Sequence, residues 1–214
     1  MKLYKYFLIA IAIIALDQAS KLLVYYNMDL NTEIDVFGDW FKIHYLLNPG
    51  MAFGIKWESE YGKLALTLFR LIAMGGISYY LVVLFKKNAA PGLLICIGLI
   101  LGGAVGNLID SVFYGVFLGN APLDASTPWF HGQVIDMLYF PLFEGFLPEW
   151  IPNWGGDYFV FFSPVFNIAD SSIFIGVLTI LISQKRFFPK PEEEIKELEE
   201  TEESGDSGEL EEKD

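Results

Sequence analysis

Residues 166–182 read FNIADSSIFIGVLTILI. From Ile173 onward the run is apolar, with Asn167 and Asp170 at its head, three residues apart. Residues three apart share a helix face, so both polar groups point the same way from the mouth of an apolar helix. An ionisable group near a bilayer core is expensive and is a functional candidate by default. A second carboxylate in similar company is Asp136, in VIDMLYF at 134–140.

Working outward, three more apolar runs of membrane length stand at about 5–25, 64–84 and 93–117. Roughly 17–25 residues are needed to cross the hydrocarbon core, and 53% hydrophobic residues is high for a soluble domain. The fold class expected is therefore an all-α membrane protein with four transmembrane helices at 5–25, 64–84, 93–117 and 166–182. Two long extracytoplasmic loops join them. The first carries a small β-element, a short strand over 40–47 ended by the turn Asn48-Pro49-Gly50. A cleaved signal peptide is the other reading of the first run, but DQASK at 17–21 puts Asp17 where a small residue belongs.

Basic residues orient the spans. Lys2 and Lys5 precede the first, Lys86 and Lys87 separate the second from the third, and Lys185, Arg186 and Lys190 follow the fourth. The stretch 119–164 has neither Lys nor Arg. The positive-inside rule then puts both termini in the cytoplasm. Trp40, Trp57, Trp129, Trp150 and Trp154 all fall in the outer loops, as an interfacial aromatic belt does; packing within an outer fold is the alternative.

The net charge of −13 is misleading. Residues 191–214 hold 13 acidic and 2 basic residues, a solvated, disordered cytoplasmic tail by composition. It follows a membrane domain over 1–190 that is near neutral, so no nucleic-acid partner is expected. Cys96, the only cysteine, lies in an apolar run, where a nucleophilic thiol is unexpected. His44 and His131 are far apart, and no HExxH, Walker or GxSxG pattern occurs. No metal site and no cofactor are expected.

At about 1.5 Å of rise per residue, Asp17, Lys21, Arg70, Asn107, Asp110, Asn167 and Asp170 fall at one level, in the outer half of the four spans. Asp17 and Lys21 are four apart, and Asn107 and Asp110 three apart, so each pair shares a face. Gly98, Gly102 and Gly106 recur every fourth residue, a smooth face for close helix packing.

Taken together, DQASK (17–21), NPGMAFG (48–54), GGAVGNLID (102–110), VID (134–136) and FNIAD (166–170) resemble, in order, the motifs of bacterial lipoprotein signal peptidase, signal peptidase II. The resemblance covers residues 1–186. It implies an aspartic endopeptidase of the bacterial cytoplasmic (inner) membrane, with its active site near the extracytoplasmic face. Its implied substrate is a diacylglyceryl-modified prolipoprotein, met among membrane lipid and cut on the N-terminal side of the lipidated cysteine. A globomycin-type cyclic peptide is the implied inhibitor. Carried over residue by residue, the catalytic pair falls on Asp136 and Asp170. Supporting or substrate-binding positions fall on Asp17, Lys21, Asn48, Gly50, Ala52, Phe53, Asn107, Asp110, Asn167 and Ala169. Two features depart from the pattern. Many members carry arginine after the aspartate of the third motif, where this chain has Ser111, and Arg70 is one candidate to replace it. The segment between Asp110 and Asp136 is also longer than in compact members.

Two converging carboxylates can share one proton and activate a water. Three other readings remain at this stage, one of them an aspartic membrane protease with another substrate, which the lack of a GxGD motif weakens. A proton-coupled transporter also uses intramembrane charges, but needs them through the full membrane depth. A non-catalytic membrane adaptor would use the acidic tail to hold a basic partner.

Overall fold

The computed structural model describes residues 2–50 and 62–188. Ala52, Phe53, Trp57 and the acidic tail lie outside the described residues. Among the described residues, three helices are long and apolar enough to cross a membrane: α1 (Tyr4–Asn27), α2 (Gly62–Lys86) and the continuous stretch Pro91–Phe117. That last stretch comprises α3 (Pro91–Ile109), a π-helical turn (Asp110–Tyr114) and the short α4 (Gly115–Phe117). The apolar α5 (Ile168–Ile182) is shorter, at 15 residues, and α6 (Gln184–Phe187) follows it.

The expectation of an all-α protein does not hold. Six strands occur among the described residues: β1 (Glu33–Phe37), β2 (Phe41–Asn48), β3 (Val134–Tyr139), β4 (Phe143–Phe146), β5 (Tyr158–Phe161) and β6 (Val165–Phe166). β1, β2, β3 and β6 form one antiparallel sheet in that order, and β4 pairs with β5 in a separate hairpin. The segments between the helices are rich in aromatic and β-branched residues, which fit a pleated, half-buried surface. The β-element foreseen in the first loop is thus one half of a larger sheet. Its other half comes from the second loop.

Strand β3 is central. It pairs Asp136 with Leu46 on one side and Leu138 with Phe166 on the other. Phe166 therefore belongs to β6 rather than to the last helix, and the helix starts two residues later. Asn167 caps it: the side chain accepts a hydrogen bond from Asp170 N at 2.9 Å. Only Asn167 stands between Phe166, which ends the sheet, and Ile168, which begins α5, so sheet and helix meet there.

Close packing of α3 sets the distances between helices. A methyl group on Gly102 would lie 2.9 Å from Ala10 O, and one on Gly98 2.9 Å from Tyr6 O. The glycine stripe thus faces α1. Gly176 of α5 stands equally close to the α3 backbone at Cys96 O, 2.9 Å. Small residues let helix backbones approach where lipid supplies no hydrophobic drive. Two apolar cores flank the polar layer between them. One joins Tyr6, Ala10, Leu81, Leu93, Leu94 and Leu101; the other, under the sheet, joins Tyr45, Tyr114, Ile135 and Met137.

Candidate active site

Lys21 is the hub of the polar layer. Its Nζ lies 2.8 Å from Asp17 Oδ2 and 2.7 Å from Asp110 Oδ2, and donates to Asn107 Oδ1 at 2.9 Å. An ammonium has three donors, and each meets an oxygen. All three charged side chains are fully shielded from solvent. A buried ion pair offsets its desolvation only when its remaining atoms are also bonded, and here they are. Asp17 Oδ1 accepts from Ala169 N at 2.9 Å. Asp110 accepts from Gln18 Nε2 at 2.9 Å and, weakly, from Ile135 N at 3.4 Å.

From this hub, asparagine amides lead to the two carboxylates singled out by the sequence. Asn107 accepts from Lys21 through Oδ1, which turns its Nδ2 toward Asp170 Oδ1 at 2.7 Å. Asn167 donates to Asp136 Oδ1 at 2.7 Å. Asn48, at the end of β2, donates to Asp136 Oδ2 at 3.0 Å and accepts from Gly50 N at 2.8 Å. Asp136 is thus gripped on both oxygens by amides from β2 and from the α5 cap. Burial pushes its carboxyl up to about 7; the negative charge of Asp170 adds to the rise, while the Asn48 and Asn167 donors oppose it.

Asp17, Lys21, Asn107, Asp110, Asn167 and Asp170, which the sequence placed at one level, form one bonded network, and Asn48, Asp136 and Ala169 join it. Gly50 has φ +94°, a conformation that suits glycine. Arg70 also reaches the layer: its Nη1 donates to Ser111 Oγ at 2.8 Å, and Ser111 in turn donates to Asn107 O at 2.9 Å.

Sequence reasoning misses Gln18, which binds Asp17, Gly106 O and Asp110 through Nε2 and accepts from Tyr114 OH at 2.9 Å. An uncharged polar residue inside an apolar span is the available signal. Lys63 is missed as well, because it reads as a charge flanking a span. Among the described residues no cluster of acidic, histidine or cysteine side chains is arranged to hold a metal ion.

Long apolar helices enclosing an ionic cluster bonded around Lys21, with two carboxylates at its sheet end, define a membrane protein with a buried polar centre. The family model described as Signal peptidase (SPase) II matches residues 9–186. The lipoprotein signal peptidase of Amoebophilus asiaticus (strain 5a2) is 47% identical over 193 residues, covering 89% of this chain and 81% of that protein. That of Porphyromonas gingivalis (strain ATCC BAA-308 / W83) is 47% identical over 186 residues, covering 82% and 80%. That of Chlorobium phaeobacteroides (strain BS1) is 34% identical, covering 86% and 98%. A solved bacterial membrane enzyme, obtained by the in meso method, superposes with a TM-score of 0.56 at 27% identity, covering 87% of this chain and 92% of that one. The chain belongs to the signal peptidase II family, and is a protease of that family.

Proposed function

We propose that Asp136 and Asp170 are the catalytic pair with which this signal peptidase cleaves diacylglyceryl-modified prolipoproteins. The observation that carries the reading is Asn167: one amide holds the Asp136 carboxylate while the same side chain caps the helix whose first turn carries Asp170. Asn167 thus ties Asp136 to the rigid element that carries Asp170, and the charge of Asp170 reaches the Asp136 carboxyl, as a shared-proton pair requires.

One carboxylate of the pair is ionised and takes a proton from a water molecule. The other is protonated and hydrogen-bonds the scissile carbonyl oxygen. The new C–O bond forms, the C–N bond breaks, and a proton passes to the leaving amine of the lipidated cysteine. The signal peptide departs with the new carboxylate. The pair titrates as a unit, so neither residue is assigned the proton.

The chain is read as a domain over 1–190 with four spans in the bacterial cytoplasmic membrane, both termini inside. Supporting the fourth span, α5 is mainly apolar from Ile173 onward, packs into α3 through Gly176, and covers about 22 Å at helical rise over its whole length. Basic residues before α1, at the end of α2 and in α6 support the orientation. The four described tryptophans, Trp40, Trp129, Trp150 and Trp154, are all exposed, which favours a membrane-surface belt over internal packing. In this frame the carboxylates stand at the outer headgroup level, where a diacylglyceryl cysteine lies. Asp17, Lys21, Asn48, Gly50, Asn107, Asp110, Asn167 and Ala169 support the pair or the substrate, as do Ala52 and Phe53. The tail at 191–214 is a cytoplasmic extension outside the activity.

The test is a mass-shift assay on a diacylglyceryl-modified prolipoprotein with the membrane-embedded protein, with and without globomycin. Cleavage before the lipidated cysteine, blocked by globomycin and abolished in Asp136→Asn and Asp170→Asn, is expected. Turnover at the wild-type rate by either variant removes that residue from the pair.

A further inference from the structure

Two cations of the polar layer have no carboxylate partner among the described residues. Arg70 and Lys63 lie seven residues apart on α2, on one face with Thr67, whose hydroxyl ties that face to Phe130 O at 2.9 Å. Arg70 is held by a neutral hydroxyl, Ser111 Oγ. Lys63 Nζ is buried and has no hydrogen-bond partner among the described residues. Arg70 is nonetheless within electrostatic reach of Asp170, Asp110 and Asp136. A buried cation left without an acceptor is costly, so this pair of donors is an incomplete site.

Both cations converge on Gly50. A Cβ there would lie 3.3 Å from Lys63 Nζ and 3.5 Å from Arg70 Nη2. Gly50 is itself bonded to Asn48, the residue that holds Asp136. The two donors therefore stand on the Gly50 side of the proposed catalytic pair.

Charge decides what they bind. With one shared proton on the pair, the layer holds three negative charges (Asp17, Asp110 and one of Asp136 and Asp170) against two fixed positive ones (Lys21 and Arg70), and three when Lys63 is protonated. An anionic ligand would add to the negative side, whereas a neutral oxygen acceptor would not. Guanidinium and ammonium groups bind carbonyl oxygens well where water is excluded.

We propose that Arg70, positioned by Ser111 and assisted by Lys63, binds backbone carbonyl oxygens of the substrate peptide beside the scissile bond. This rests on the assignment of Asp136 and Asp170 as the catalytic pair. The small Ser111 is what admits the Arg70 head from α2. An arginine at 111, with residue 70 truncated, would fill the same volume from the opposite wall.

The experiment measures kcat/KM for a diacylglyceryl-modified prolipoprotein with protein reconstituted in phosphatidylcholine vesicles, and again with phosphatidylglycerol added. Thermal unfolding of each variant is followed in parallel. Arg70→Met is expected to lower kcat/KM by about 10- to 100-fold and Lys63→Met by about tenfold, as for a lost hydrogen bond from a charged group. The double variant Arg70→Ala with Ser111→Arg is expected to recover about tenfold over Arg70→Ala alone, and anionic lipid to make no difference. A merely structural link between α2 and the π-helical turn is broken in the double variant as in the single one, so absence of recovery overturns the proposal. Wild-type kcat/KM in both Arg70→Met and Lys63→Met overturns it too. A wild-type rate that requires phosphatidylglycerol, lost in Arg70→Met, would instead make this a lipid phosphate site. If Arg70→Met does not fold, Lys63→Met and the double variant decide. Failure of the wild type to cleave at all refutes the assigned reaction and is distinguishable from each of these results.

Discussion

Asn167 donates to Asp136 Oδ1 at 2.7 Å and, through its own Oδ1, accepts from Asp170 N at 2.9 Å. One side chain thus carries two separable tasks, a helix cap and a carboxylate anchor. Asn167→Ser keeps a capping oxygen but cannot reach Asp136. It should lose about tenfold or more in kcat/KM while unfolding near the wild-type temperature. Asn167→Ala loses both tasks and should also lose about 1–3 kcal/mol of stability. Equal activity in the two variants, both near wild type, would count against the anchor.

The pH profile follows from Asp136, whose carboxyl burial and the charge of Asp170 raise to about 7. Below that pH the pair keeps its one shared proton; above it, the pair becomes doubly charged and loses the proton that the proposed mechanism shares. Activity should therefore fall as pH rises through about 7. Asn48 donates to Asp136 and favours its ionised form, so Asn48→Ala should move this alkaline limb to higher pH. The check is kcat/KM against pH for both proteins, and a limb that stays in place or moves down contradicts the assignment.

The helices and most of the polar layer are legible in the sequence because an apolar span makes every polar residue conspicuous. Asp17, Lys21, Asn107 and Asp110 announce themselves by contrast and by spacing. The sheet is not legible, for the opposite reason. In β3, Val134 to Met137 are all buried, so the alternation that marks a half-buried strand is missing. Asp136 is found through a motif, and its place on a strand between β2 and β6 needs long-range pairing that no local pattern carries. The Arg70–Ser111 bond shows the same limit. That Ser111 departs from the family pattern is visible in the sequence, but which side chain meets its hydroxyl depends on how α2 packs on α3.

The glycines of the membrane helices differ in what they tolerate. A methyl on Gly106 of α3 would lie 2.7 Å from Asp17 Oδ2 and 3.2 Å from Ala169 Cβ. Gly106→Ala must displace the carboxylate that Lys21 and Ala169 N hold, and should cost about 1–3 kcal/mol as overpacking does, with activity lost alongside. Gly75 on α2 has nothing within 4 Å of where an added methyl would sit, so Gly75→Ala should be neutral or slightly stabilising, since alanine is the better helix former. Thermal unfolding in detergent, with the cleavage assay beside it, separates the two; matching losses would mean that helix packing, not the carboxylate, sets the Gly106 effect.

Lys21 offers the sharpest test of the ionic layer. Removing it as Lys21→Met leaves Asp17 and Asp110 buried without the cation that lies 2.8 and 2.7 Å from them. Breaking one side of a buried pair in this way should cost about 3–5 kcal/mol. Adding Asp17→Asn and Asp110→Asn removes the stranded charges, and most of that loss should return, because neutral amides retain hydrogen bonds with Ala169 N and Gln18. Activity should not return with it. Lys21 also fixes the orientation of Asn107, whose Oδ1 accepts from Nζ so that its Nδ2 faces Asp170. Without the ammonium only Asn167 Nδ2, at 3.2 Å, still donates to Asn107 Oδ1, and the amide facing Asp170 is held less firmly. Stability regained without activity would therefore separate the two roles of Lys21. A triple variant no more stable than Lys21→Met would show that the stranded carboxylates were not the source of the loss.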